Sequence, residues 1–115
     1  MTVRNEEAIA KTLVNLNQLA VQAVRQEKYK YAIDVFTQSL VLEESLGLTA
    51  QMAESFYNLA STYLLMEDYD QAQRKSDMAL SLFRQEERAD AVAKTQRLQA
   101  NIAEQQADGS NPAQT

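Results

Sequence analysis

The chain has 115 residues, of which 11 are Lys or Arg and 16 Asp or Glu, and it contains neither histidine nor cysteine. A net charge of −5 has the wrong sign for affinity that rests on neutralising phosphates, so nucleic acid and anionic membrane are not expected partners. The missing His and Cys exclude Ser-His-Asp and Cys-His catalysis, zinc sites built on imidazole or thiolate, and the Glu-x-x-His di-iron pattern of helical bundles.

Two glycines and one proline occur, and two of these three lie in the last seven residues. With 45% hydrophobic residues, the expectation is one all-α domain with little to interrupt its helices. The start of the chain, with Arg4, Asn5, Glu6 and Glu7, lacks the layout of a signal peptide, and no apolar run approaches ~20 residues. A cytoplasmic location is expected.

Taken in order, a first helix is predicted from near Asn5, with a spare turn at Ala8, Ile9 and Thr12 before the i, i+3, i+4, i+7 stripe of Leu16, Leu19, Ala20 and Ala23. A tight turn at Gln26–Tyr29 leads to a second helix with Ala32, Phe36, Ser39 and Leu40 on its inner face. That helix also carries Tyr31, Val35 and Val41, some of which must face outward. Such a strip is either covered by the extra turns of helix one or serves as a homodimer interface.

Gly47 reads as a helix stop, with Thr49 as N-cap of the third helix. Phe56, Leu59, Ala60 and Tyr63 then form a stripe, the turn recurs at Met66–Tyr69, and a fourth helix carries Ala72, Ser76, Ala79 and Leu80. A polar break with Asp90 as N-cap opens a fifth helix to about Gln106, with Val92, Thr95, Leu98 and Ile102 as its apolar stripe. Residues 107–115 read as a disordered polar tail.

An offset of forty residues pairs Leu19 with Leu59, Ala20 with Ala60, Glu27 with Glu67, Tyr29 with Tyr69, Ala32 with Ala72, Leu40 with Leu80 and Leu42 with Leu82. These are seven identities where roughly two arise by chance. Each copy therefore encodes two amphipathic helices, one copy at about 13–46 and the other at about 53–86. Small residues at fixed points let the helix backbones approach closely, and Tyr29 and Tyr69 sit where they would plug the closed end of each hairpin. The fifth helix fits best at an offset of 39, which puts Leu98 and Ile102 on apolar positions, with about 90–106 acting as a cap.

Leu16 to Ala23 and Phe56 to Tyr63, followed by Ala32 with Phe36 and Ala72 with Ser76, resemble the tetratricopeptide repeat (TPR), whose signature runs W-x₂-L-G-x₂-Y, A-x₃-F, P. The chain departs from it in having no proline at either repeat's end and no aromatic at Leu16, Ala23 or Ser76. The resemblance implies a right-handed α-solenoid of two hairpins and a capping helix, five helices in all. It also implies a concave groove lined by helices one, three and five that binds another protein or peptide, as an adaptor or scaffold with no cofactor.

The residues then expected to face the groove are Asn17, Val21, Val24, Arg25, Glu54, Tyr57, Asn58, Ser61, Leu65, Lys94, Arg97 and Asn101. Some family members clamp a terminal carboxylate with Lys, Arg and Asn. Asn58 stands at that clamp's middle asparagine, but Asn17 and Val21 occupy places needing Lys and Asn, so the clamp is not expected here.

Carboxylates cluster at Glu6/Glu7, Glu43/Glu44, Glu67/Asp68/Asp70 and Glu86/Glu87. Each group falls at a predicted helix end and reads as solvated, and Asp68-x-Asp70 lacks the glycine and closing glutamate of a calcium loop. No catalytic or metal site is expected. The alternative to a protein-binding adaptor is a self-associating structural or regulatory component that dimerises through the outer apolar strip.

Overall fold

A computed structural model describes residues 2–110, with side chains described from 5 to 109. It is all-α, with five helices in succession: α1 (Thr2–Arg25), α2 (Tyr29–Ser45), α3 (Thr49–Leu65), α4 (Tyr69–Gln85) and α5 (Ala89–Ser110). Each helix packs on the next, and α3 additionally touches α5. Ser55 of α3 bonds Glu43 of α2, and Gln99 of α5 bonds Ser76 and Asp77 of α4. The Gln99 links join residues roughly equidistant from the intervening turn, as antiparallel neighbours require.

One turn is used four times. At its closing end the N–H of Lys28, Leu48, Asp68 and Arg88 donates to the carbonyl five residues back, at Ala23, Glu43, Tyr63 and Phe83. The preceding residue in each case donates three back and adopts the left-handed conformation: Glu27 (φ 60), Gly47 (φ 66), Glu67 (φ 61) and Glu87 (φ 55). This is a Schellman C-cap, in which two otherwise orphaned carbonyls of the ending helix find donors. The residue that closes the cap also offers its carbonyl to the next helix, from Lys28, Leu48, Asp68 and Arg88 to the N–H of Ala32, Met52, Ala72 and Val92. Ending one helix and starting another thus share a single residue, and 17-residue helices joined by such three-residue turns start twenty residues apart.

The glycine stop at Gly47 is where the sequence indicates it. The capping residues differ from expectation. Thr49 is the first residue of α3, and Leu48 holds the cap position without a side-chain bond. Asp90 lies within the first turn of α5, beside the positive end of that helix, and Arg88 supplies the cap carbonyl. Asp68 caps α4 through its side chain, accepting from the N–H of Gln71 at 3.2 Å. The helix α5 continues past Gln106 to Ser110, so the part of the expected tail at 107–110 is helical, and 111–115 lie outside the described residues.

Ala20, Ala32, Ala60, Ala72 and Ala79 are fully buried, which is what allows the helix backbones to close on one another. Phe36, Phe56, Leu59 and Phe83 fill the main cluster, Leu98 and Ile102 a second, and Tyr57 and Tyr63 pack against both. In α5 the buried face is Ala91, Thr95, Leu98 and Ile102 while Gln96 and Ala100 are exposed, in agreement with the 39-residue offset. The backbone turns keep the spacing of forty, so α5 presents a face rotated by one residue relative to α3.

One expected core position is corrected. Leu19 is 44% exposed whereas its counterpart Leu59 is 1% exposed. The reason is position: α3 packs against α2, α4 and α5, whereas the extensive packing of α1 is against α2. On α2, Val35 is buried while Tyr31 and Val41 face outward. The early turns of α1 do not cover Tyr31, which is 48% exposed; Ile9 lines a depression together with Leu46 and Leu48.

Urea unfolding tests the turn and the core. Gly47→Ala loses about 1 kcal/mol, because an L side chain there is forced into the left-handed region, whereas Glu67→Gly loses nothing. Ser39 is buried and its hydroxyl has no hydrogen-bond partner, and its repeat counterpart is Ala79. Ser39→Ala therefore stabilises the fold by about 1 kcal/mol.

Candidate functional site

The expected groove residues of α3 are Glu54, Tyr57, Asn58 and Ser61, a spacing that places all four on one face of the helix. Between α3 and α1 runs a depression lined by Leu13, Val14, Asn17, Gln18, Glu43, Gln51, Glu54, Ser55 and Asn58. Between α3 and α5 is a second, lined by Ser61, Leu64, Leu65, Glu67, Leu98, Asn101 and Gln105. Asn17, Glu54 and Asn58 therefore meet in one place, and Ser61, Leu65 and Asn101 in another.

The remaining candidates separate. Val21 and Val24 are half-buried against the main core cluster. Tyr57 is a core residue on one side and is stacked by Lys94 on the other, the ammonium lying 4.3 Å from the ring centroid. Both thus serve to join α3 to α5. Arg25 and Arg97 are exposed and line neither depression. Glu54 reaches Arg88 at 3.6 Å, a half-exposed pair of little energetic weight.

The α1–α3 depression is continuous with a more apolar one, lined by Glu6, Ile9, Ala10, Leu13, Val14, Leu46, Leu48 and Gln51. The two share Leu13, Val14 and Gln51 and form a single trough. It follows α1 from Glu6 to Asn17, about 17 Å at the rise of an α-helix. The side-chain amides of Asn17, Gln18, Gln51 and Asn58 have no hydrogen-bond partner within the chain among the described residues, so their donors and acceptors are open to whatever enters.

Sequence reasoning missed Glu43. Placed with Glu44 at the end of α2, it reads as a solvated terminus, and Glu44 is indeed exposed. Glu43 is only 6% exposed, lines the trough, and accepts a 2.7 Å hydrogen bond from Ser55 Oγ at Oε1. Its signal was present in the repeat: the forty-residue offset sets Glu43 against Phe83, a buried core residue. Burial pushes the Glu43 carboxyl above the usual carboxylate range, and the Ser55 hydrogen bond opposes that shift without cancelling it. No cation lies within salt-bridge distance of it among the described residues.

No three acidic side chains converge as a metal site among the described residues, and no described helix is long and apolar enough to cross a membrane. No family model matches the chain, and no curated protein matches it in sequence.

The sign of the Glu43 shift gives a test. The folded state holds this proton to higher pH than the unfolded chain, so the stability linked to it is present below the unfolded value and lost as pH rises through the folded one. Glu43→Gln keeps an acceptor for Ser55 and removes the titration. Its stability relative to the parent protein rises as the pH is raised from about 4, the ordinary glutamate range, as read by urea unfolding at a series of pH values.

Proposed function

We propose that this chain is a TPR-like, right-handed helical-repeat module that holds a segment of another protein in the α1–α3 trough, with α5 as the cap of the array. The observation that carries this reading is the trough itself: four amides without hydrogen-bond partners among the described residues stand beside an apolar wall. Such a surface gives a bound chain backbone hydrogen bonds and apolar burial together. The forty-residue repeat and the four equivalent turns support the helical-repeat part. The absence of His and Cys, and of any three acidic side chains close enough to hold a metal ion among the described residues, favours binding over catalysis.

Its reach is short. A trough of about 17 Å accommodates three helical turns or five extended residues, which favours modest, reversible affinity. The partner that co-purifies with the tagged protein from its own cells supplies the test. Asn17→Ala combined with Asn58→Ala lowers its retention at least tenfold with a melting temperature within a few degrees of the parent. Unchanged retention refutes the assignment. Tyr57 is a poor choice for this test because it also packs the core.

Self-association is a second reading, which the exposed Leu19 and Tyr31 favour. They line a shallow depression between α1 and α2 on the outer side of the first hairpin. Light scattering at micromolar concentration separates the two readings. A single 13.0 kDa species supports the adaptor, and a dimer dispersed by Tyr31→Ser supports assembly.

A further inference from the structure

The trough has a chemical bias. Among its lining residues are Glu6, Glu43 and Glu54 and no Lys or Arg. Glu54 has Arg88 beside it, but among the described residues Glu43 has only the neutral hydroxyl of Ser55. Glu43 also sits in the last turn of α2, a turn with no basic residue, where the carbonyl ends of the helix add negative potential. A carboxylate in that place, withdrawn from water and without a counter-ion, costs stability in the free protein. The neighbouring wall of Ile9, Leu13, Leu46 and Leu48 is apolar and adjoins it directly.

We propose that the segment held in the α1–α3 trough is cationic and amphipathic, placing a Lys or Arg against Glu43 and its apolar side chains on Ile9, Leu13, Leu46 and Leu48. This rests on the trough being the binding surface. A cation there satisfies the open side of the Glu43 carboxylate in a partly desolvated setting, where a charge-assisted hydrogen bond is strongest. An acidic segment meets three carboxylates and the end of a helix dipole, so the same geometry selects against it.

The test uses the full chain and two fluorescein-labelled twelve-residue peptides, one of Leu and Lys patterned for a single apolar face, the other with Glu in place of Lys. Fluorescence anisotropy is expected to give at least tenfold tighter binding of the Leu/Lys peptide. Glu43→Gln weakens that binding at least fivefold. Glu86→Gln, which changes net charge equally at an exposed site in the α4–α5 turn, leaves it unaltered.

Val14 is 55% exposed on the trough wall, so Val14→Lys tests the same site without disturbing the core and also weakens binding. Equal loss in Glu43→Gln and Glu86→Gln means diffuse charge attraction and overturns the proposal. Full retention in Glu43→Gln or Val14→Lys, or equal affinity for the two peptides, does so as well. If the co-purified partner is lost on Asn17→Ala with Asn58→Ala yet indifferent to Glu43→Gln, the trough stands and its cationic selectivity falls. If neither change affects that partner, both fall.

Discussion

Every reversal between the described helices passes through a left-handed residue followed by one that closes the ending helix and opens the next. Glu27, Gly47, Glu67 and Glu87 hold the first of these places, and the same pair of backbone hydrogen bonds recurs at each. Because one residue performs both tasks, no slack remains between helices, and the 17-residue helices α2, α3 and α4 follow one another at a fixed spacing. That constraint puts α3 between α1 and α5, with a depression on each side of it. A longer connection at any turn would release the register on which those depressions depend.

The packing follows from the same spacing. Turns forty residues apart return the chain to equivalent orientations, so small residues recur where backbones cross, at Ala20 and Ala60 and at Ala32 and Ala72. The places where the two halves differ carry the individuality of the molecule. Glu43 stands where the second copy has Phe83, and the exchange of an aromatic ring for a carboxylate opens the base of the α1–α3 trough to polar chemistry. Ser55 accompanies it with a hydroxyl, which steadies the carboxylate without neutralising it.

Much of the fold is legible in the sequence because helix periodicity and the forty-residue identities are both strong. Five helices, the stop at Gly47 and the inner face of α5 follow from those signals. The turns at Glu27, Glu67 and Glu87 carry no glycine, so their left-handed backbone shows only through their equivalence to Gly47 at twenty-residue steps. Exposure of Leu19 is a neighbour effect, invisible to a pattern that matches it with Leu59. The site was half legible. Asn17, Glu54 and Asn58 meet as helix-face arithmetic suggests, while Lys94 and Tyr57 are spent on each other, Arg25 and Arg97 stand apart, and Glu43 was hidden by its place beside a solvated Glu44.

The central claim is that the α1–α3 trough is where another chain is held, and site-specific crosslinking addresses it most directly. A photoreactive amino acid replaces Val14 on the trough wall or Met78, 46% exposed on α4 and outside either depression, and the protein is irradiated in its own cells. The account predicts a discrete adduct from the Val14 position alone, and a crosslinked segment that carries Lys or Arg among apolar residues. No adduct at Val14, or the same adducts from both positions, would contradict it.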